Sequence, residues 1–299
     1  MSTFGIRALI LLAMSNLCWA TSPAADPPVA KLDEEMSKQK KIYQTRDPKA
    51  LEAYTVDRSL SVYANGLASG FAQELTRLGP EDRWLDIGAG EGQAILDYYT
   101  PGYDLIEPEG RKPRGRKAQA VAISIEDRST PRWRQVAGDI GINHLQYFSD
   151  KPLRDYSVDE LGRFQVITDV VGGFSYTDNL TLFMEKVLAF LAPNGSFYTV
   201  LQDVRWEDGT NHPHYEGSKF LTEISHPDGS EMKVCSWLKQ ITCAQVTCES
   251  KANWEPPMEA FRVRKTCSEV EVPSLATVQY KAGTPPERRF RLKTGKGVK

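Results

Sequence analysis

The chain has 299 residues, enough for one large domain or two modest ones. A hydrophobic content of 40% and a charged content of 25% are those of an ordinary globular protein. A formal net charge of −2 gives no electrostatic reason to expect nucleic acid or an anionic membrane as a partner.

The first residues read as a targeting segment rather than as fold. Arg7 precedes the apolar run ALILLAM over 8–14, and Cys18-Trp19-Ala20 sets small residues at the cleavage positions. This is the layout of a signal peptide over 1–20, and the run is too short to span a bilayer. Export to a periplasm or the exterior is expected, with a cytoplasmic location as the alternative. No stable membrane insertion is expected after cleavage. Residues 21–47 read as a polar linker and a charged helix ending before Pro48. Cysteine usage fits export: beyond Cys18 the cysteines are Cys235, Cys243, Cys248 and Cys267, all in the C-terminal third. One or two disulfides are plausible there, with the pairing open. Zinc is the weaker reading because there is no C-x-x-C.

Leu60, Ala64, Leu67, Phe71, Leu75 and Leu78 recur at three- and four-residue steps, the spacing of one apolar helix face, which Gly79-Pro80 stops. The stretch WLDIGAGEGQAIL over 84–96 then organises the chain. A short apolar run ends in an acid, passes through three glycines at alternate positions and becomes helical. It reads as a strand, a glycine turn and a helix start, where the backbone can take positive φ and a ligand can approach the main chain. The helix continues to Tyr99 and breaks at Pro101-Gly102. The basic stretch RKPRGRK over 111–117 carries Gly and Pro without interleaved aromatics, and reads as a solvated loop rather than a nucleic-acid patch.

Strands are expected over 118–127, 133–140, 164–170 and 196–201. A loop is expected over 172–176, a helix over 180–191 capped by Asp178, and a turn over 192–195. Beyond 206 the pattern suggests a hairpin (220–224 and 232–238 around the turn 226–229), strands over 261–264 and 277–280, and a basic tail from Arg288.

Residues 82–205 resemble class I, Rossmann-like methyltransferases that use S-adenosylmethionine (SAM). The G-x-G-x-G turn with Asp86 two residues ahead matches their first motif. It departs from the G-x-G-x-x-G of nicotinamide enzymes, which speaks against an oxidoreductase. The resemblance implies an α/β fold, a doubly wound, mostly parallel seven-stranded sheet with N-terminal helices and a β-rich C-terminal elaboration. The SAM-binding core would span 48–205, and the elaboration 206–299.

It also implies a cofactor site. Asp86, Gly88, Ala89, Gly90 and Gly92 would form the turn beneath SAM. Glu126 would take the ribose, with Ser124 as the second reading because it stands where the family has its acid. Asp139 with Ile140 would face the adenine, and Thr168 with Asp169 the methionine end. Tyr54 or Tyr63 would cover the cofactor. Asp169, His212 and His214 are the candidate bases, the two histidines reading equally as surface residues beside Pro213. Phe174 and Tyr176 would line the acceptor pocket, or simply pack. The function implied is methyl transfer to a small molecule or protein side chain. The alternative is a non-catalytic SAM-binding or interaction protein, favoured by Ser124 and by export. The acceptor and the oligomeric state stay open.

Overall fold

The computed structural model describes residues 29–44, 58–100, 118–202, 204–205, 219–251, 254 and 257–294. The stretch 1–20 that reads as a signal peptide, Tyr54, the basic stretch over 111–117, His212 and His214 lie outside them. Helix α1 (Val29–Tyr43) is followed by α2 (Leu60–Gly66) and α3 (Phe71–Arg77). The single helix face expected over 60–78 is therefore two helices. The chain turns between them, and Gly70 precedes α3 with φ 95°, a left-handed conformation that interrupts a helix. Leu60, Leu67, Phe71 and Leu75 are buried all the same.

From there strands and helices alternate: β1 (Arg83–Ile87), α4 (Gln93–Tyr99), β2 (Gln119–Ile123), α5 (Pro131–Ile140) and β3 (Leu145–Phe148). Next come α6 (Val158–Leu161), β4 (Phe164–Val170), α7 (Gly173–Tyr176), α8 (Leu180–Phe190) and β5 (Leu191–Gln202). The C-terminal part contributes β6 (Val204–Arg205), β7 (Lys219–Phe220), β8 (Thr222–Ser225), β9 (Glu231–Met232) and α9 (Val234–Leu238). It ends with β10 (Ala244–Lys251), β11 (Met258–Lys265), β12 (Leu275–Lys281) and β13 (Glu287–Leu292).

The main sheet has the order β10-β11-β5-β4-β1-β2-β3, and β11 runs against all the others. Strand order reverses between β1 and β4, so their carboxyl ends open a crevice. This is the expected doubly wound, Rossmann-like architecture. Side chains alternate across the sheet, and each face has its own core. Trp84, Ala120, Ala122 and Val166 pack with α2 to α5 on one side. Leu85, Val121, Ile167 and Phe197 pack with α8 and the C-terminal strands on the other.

Several local expectations are corrected. Residues 133–140 are helix, not strand: the Thr130 hydroxyl accepts from Trp133 N at 3.1 Å and Pro131 fits the first turn. Asn179, not Asp178, caps α8, its side chain accepting from Leu182 N at 3.0 Å. The expected turn over 192–195 is an irregularity within β5, where Leu191 pairs with Phe164 but Ser196 already with Val166. In the C-terminal hairpin only β8 and β9 are strands, and 234–238 is the helix α9.

The C-terminal elaboration is a second sheet, β12-β13-β8-β9, while β10 and β11 complete the first. Helix α1 docks on it: Glu35 accepts from Ala282 N at 3.1 Å and Gln39 from Gly283 N at 2.9 Å. Cys235 pairs with Cys248 and Cys243 with Cys267, at Cα separations of 6.1 and 5.1 Å. These cross-links tie α9 to β10 and the two ends of the β10-β11 hairpin to each other. Among the described residues no helix is long and apolar enough to cross a membrane.

Protein starting at Thr21 should show no titratable thiol when unfolded without reductant. Cys243→Ala with Cys267→Ala should lower stability by about 2–4 kcal/mol in urea unfolding. Four reactive thiols in the air-purified protein would defeat both statements.

Candidate functional site

The site is built where β1 ends. From Trp84 to Ile87 the strand is buried, and Gly88, Gly90 and Gly92 then take φ values of 70°, 58° and 83°. Gly88 and Ala89 donate from their backbone N–H groups to Ile123 O at 2.9 and 3.2 Å, hooking the turn over the end of β2. Two glycines are required sterically as well. A side chain on Gly88 would stand 2.9 Å from Gly172 Cα, and one on Gly92 would overlap the Trp133 indole. The turn is braced from β3 by Tyr147, whose hydroxyl donates to Gly90 O at 2.6 Å and whose ring meets Trp133 edge-on.

Beneath the turn lies Asp86, with no exposed surface. The Tyr63 hydroxyl reaches its two oxygens at 3.2 and 3.0 Å. Thr168 Oγ1 donates to it at 2.7 Å and accepts from Trp84 Nε1 at 2.8 Å. Burial pushes the Asp86 carboxyl up to about 7 against the pull of the Thr168 and Tyr63 hydrogen bonds. The resemblance made Tyr63 a cover, but the structure buries it against Asp86.

Asp169, the last but one residue of β4, pairs in register with Ile87. It too is fully buried, and burial raises it to about 7 although Phe174 N and Gly172 N donate to it at 3.0 and 2.8 Å. Its carboxylate organises the loop after β4. That loop begins at Val171 with φ 54°, a strained conformation for a β-branched residue and one that gathers at functional sites. From the far side Arg288 of β13, fully buried, donates to Phe174 O and Thr177 O at 2.8 and 2.9 Å. Tyr280 of β12 donates to Tyr176 O at 2.9 Å, and Thr277 donates to Asp178 O.

The other candidates fall as follows. Strand β2 ends at Ile123, so Ser124, not Glu126, stands at its carboxyl end. Ser124 is buried and its N–H donates to Phe148 O at 3.0 Å. Glu126 lies two residues beyond, in a bend, 3.8 Å from Arg128. Asp139 and Ile140 are in the last turn of α5 and at no strand end, because the capped helix replaces the expected strand. The third strand instead leads into Ser149-Asp150, and Asp150 occupies the place foreseen for Asp139; Ser149 donates to it at 2.8 Å. The Thr130-Pro131 cap signal, visible in the sequence, could have revealed this. Phe174 is no pocket wall: it is fully buried against Phe183, Phe197 and Phe261. Tyr176 is half-buried and meets Tyr43 edge-on.

The sheet order, the antiparallel β11 and the glycine turn after the central strand coincide in one known architecture. The chain has the class I methyltransferase fold. No protein-family model matches it, and no curated protein matches it in sequence. Solved structures similar to it include the plantazolicin methyltransferase BpumL in complex with S-adenosylhomocysteine (SAH), at 11% identity and TM-score 0.47, covering 80% of this chain and 99% of that one. A geranyl diphosphate methyltransferase in complex with SAM matches at 12% identity and TM-score 0.40, over 69% and 84% of the two chains. An rRNA methylase from Streptococcus thermophilus matches at 13% identity and TM-score 0.38, over 66% and 94%.

The two raised carboxyls predict a pH dependence. A buried acid whose folded pKa is raised keeps its proton in the folded state after the unfolded chain has lost it. Stability therefore falls as pH rises from the ordinary carboxylate range through about 7. Urea unfolding between pH 5 and pH 8 should show a shallower decline in Asp86→Asn than in the parent. An unchanged slope would mean that Asp86 ionises as freely in the fold as outside it.

Proposed function

We propose that this protein binds SAM over the turn 88–92 and transfers its methyl group to an acceptor, a small molecule or a protein side chain. The observation that carries the reading is the glycine turn closed onto a buried acid. Gly88 and Gly92 let the turn close against Gly172 and Trp133, and Asp86 sets negative potential below it. Such a site suits a ligand end bearing ammonium and sulfonium, and suits a pyrophosphate poorly. Ser124 at the end of β2 is the residue for the ribose. Asp150 beyond β3 is the residue for the adenine amino group, and Ile125, 41% exposed, offers the base an apolar face.

Bound SAM supplies a methyl group on a sulfonium, already a good leaving group. The protein's share is then to place the acceptor in line, and orientation of this kind lowers barriers by roughly 7–11 kcal/mol. The rigid loop over 171–178, held by Asp169, Arg288 and Tyr280, is the wall for the acceptor, with Tyr176 on it. Asp169 is fully buried and engaged by two backbone N–H groups, so its part is to hold that loop. His212 or His214 is the better candidate to take a proton from the acceptor. The paired cysteines and the leader support export.

A second reading keeps the binding and drops the transfer. Ser124 favours it, being a neutral hydroxyl where the family carries an acid. SAH calorimetry and methyl-transfer assays separate the two, since the second predicts affinity without turnover.

The parent protein should bind SAH, and Gly90→Leu, placing a side chain on the turn, should abolish binding in a folded protein. Ser124→Ala should weaken binding by about 0.5–1.5 kcal/mol, and Glu126→Ala should leave it unchanged. A loss confined to Glu126→Ala would restore the longer strand register, and normal affinity in Gly90→Leu would remove the turn from the site.

A further inference from the structure

A cavity of about 170 Å³ opens between α8 and the chain that follows β11. Strand β11 runs against β5, so its last residue, Lys265, lies at the edge where the parallel strands begin, opposite the glycine turn. Leu188, Ala189, Val270 and Val272 give the cavity apolar walls, and Glu185, Lys265 and Ser268 complete its lining. Its size compares with that of cavities that take up one benzene-sized molecule. The wall is fixed in advance. Cys267, two residues after Lys265, is bonded to Cys243. Thr242 N donates to Glu271 O at 3.1 Å, and Glu271 N donates to Thr242 Oγ1 at 2.8 Å.

Only 7% of Lys265 is exposed. Its Nζ donates to Leu188 O at 2.8 Å and to Leu191 O at 3.4 Å, carbonyls at the end of α8. Arg163 is engaged at the same place, its Nη1 donating to Ala189 O at 2.6 Å and to Leu191 O at 3.4 Å. Burial first, and then the like charge of Arg163, draw the Lys265 ammonium below the ordinary lysine range. A neutral amine has two N–H groups, which match the two carbonyls, and one lone pair, which is left for the cavity. A lysine desolvated in an apolar pocket beside another cation is an activated nucleophile toward carbonyl carbon.

We propose that Lys265 captures a small aliphatic aldehyde in this cavity as an imine, a site independent of the SAM reading. The ammonium gives one proton to Glu185, and the nitrogen lone pair bonds to the carbonyl carbon. A second nitrogen proton passes to the oxygen, leaving a carbinolamine. Glu185 returns its proton to the hydroxyl, the C–O bond breaks, water leaves, and C=N forms as a protonated imine. Nothing is oxidised or reduced. The N–H that remains keeps a donor for Leu188 O, and Arg163 keeps one for Leu191 O, so the helix end stays satisfied.

The test is reductive trapping on protein starting at Thr21 with its disulfides intact. Isobutyraldehyde and cyanoborohydride are added at neutral pH, and the alkylation rate of each lysine is read by peptide mass spectrometry. Lys265, though buried, should react about tenfold faster than the exposed Lys239 and Lys293. Glu185→Gln should slow Lys265 severalfold and leave Lys239 unchanged. With pyrenecarboxaldehyde, too large for the cavity, the preference for Lys265 should disappear. Lys265 reacting no faster than Lys239 with isobutyraldehyde overturns the proposal. A preference that persists with the pyrene aldehyde overturns it too, because the reactivity then owes nothing to the cavity.

Discussion

Asp86 is a carboxyl with no exposed surface, directly under the glycine turn 88–92. Leaving such a group without partners would cost several kcal/mol, and its partners come from three separate stretches. Tyr63 arrives from α2, Thr168 from β4, and Trp84 from β1 itself through Thr168. Satisfying this one group therefore fixes where α2 packs and how β1 pairs with β4. It also makes the turn a rigid platform, because movement of any of the three would strand a buried acid. Its high pKa, about 7, is the consequence of that burial.

The second constraint comes from the far end of the chain. The loop after β4 owes its shape to Asp169 inside and to Arg288, Tyr280 and Thr277 outside, which together engage the carbonyls of residues 174, 176, 177 and 178. Burial draws the Arg288 guanidinium down to about 10, so it stays charged at neutral pH and keeps these bonds charge-assisted. The C-terminal sheet is thus part of the wall that faces the crevice, and α1, docked on residues 282 and 283, extends it.

Legibility in the sequence followed the range of the interactions involved. The glycine turn, β1, β4 and α4 were plain, because apolar runs and glycine spacing report local backbone demands. Residues 133–140 were misread because WRQVAGDI mixes apolar and polar residues without clear period, and a Gly-Asp pair imitated a strand end. The cap at Thr130-Pro131 was the stronger local signal. That reading put Asp139 at a strand end, whereas it lies in the last turn of α5 and the third strand leads into Asp150. Ser124 and Glu126 lie on one side of an extended chain, and nothing local says where a strand stops. Its end is set by pairing, Ile123 with Ile87 and Phe148.

By itself the sequence determined the fold class and the position of the glycine turn, since both follow from short-range periodicity and from steric freedom that only glycine has. It also determined that the cysteines lie together in the C-terminal third. The tertiary structure decided their pairing, the buried partners of Asp86 and the inward turn of Phe174. Arg288 carries the same lesson: it reads as part of a basic tail in the sequence, and it is among the most deeply buried side chains of the fold. Most of these join residues from 13 to 114 positions apart, and nothing in the local sequence of one partner specifies the other.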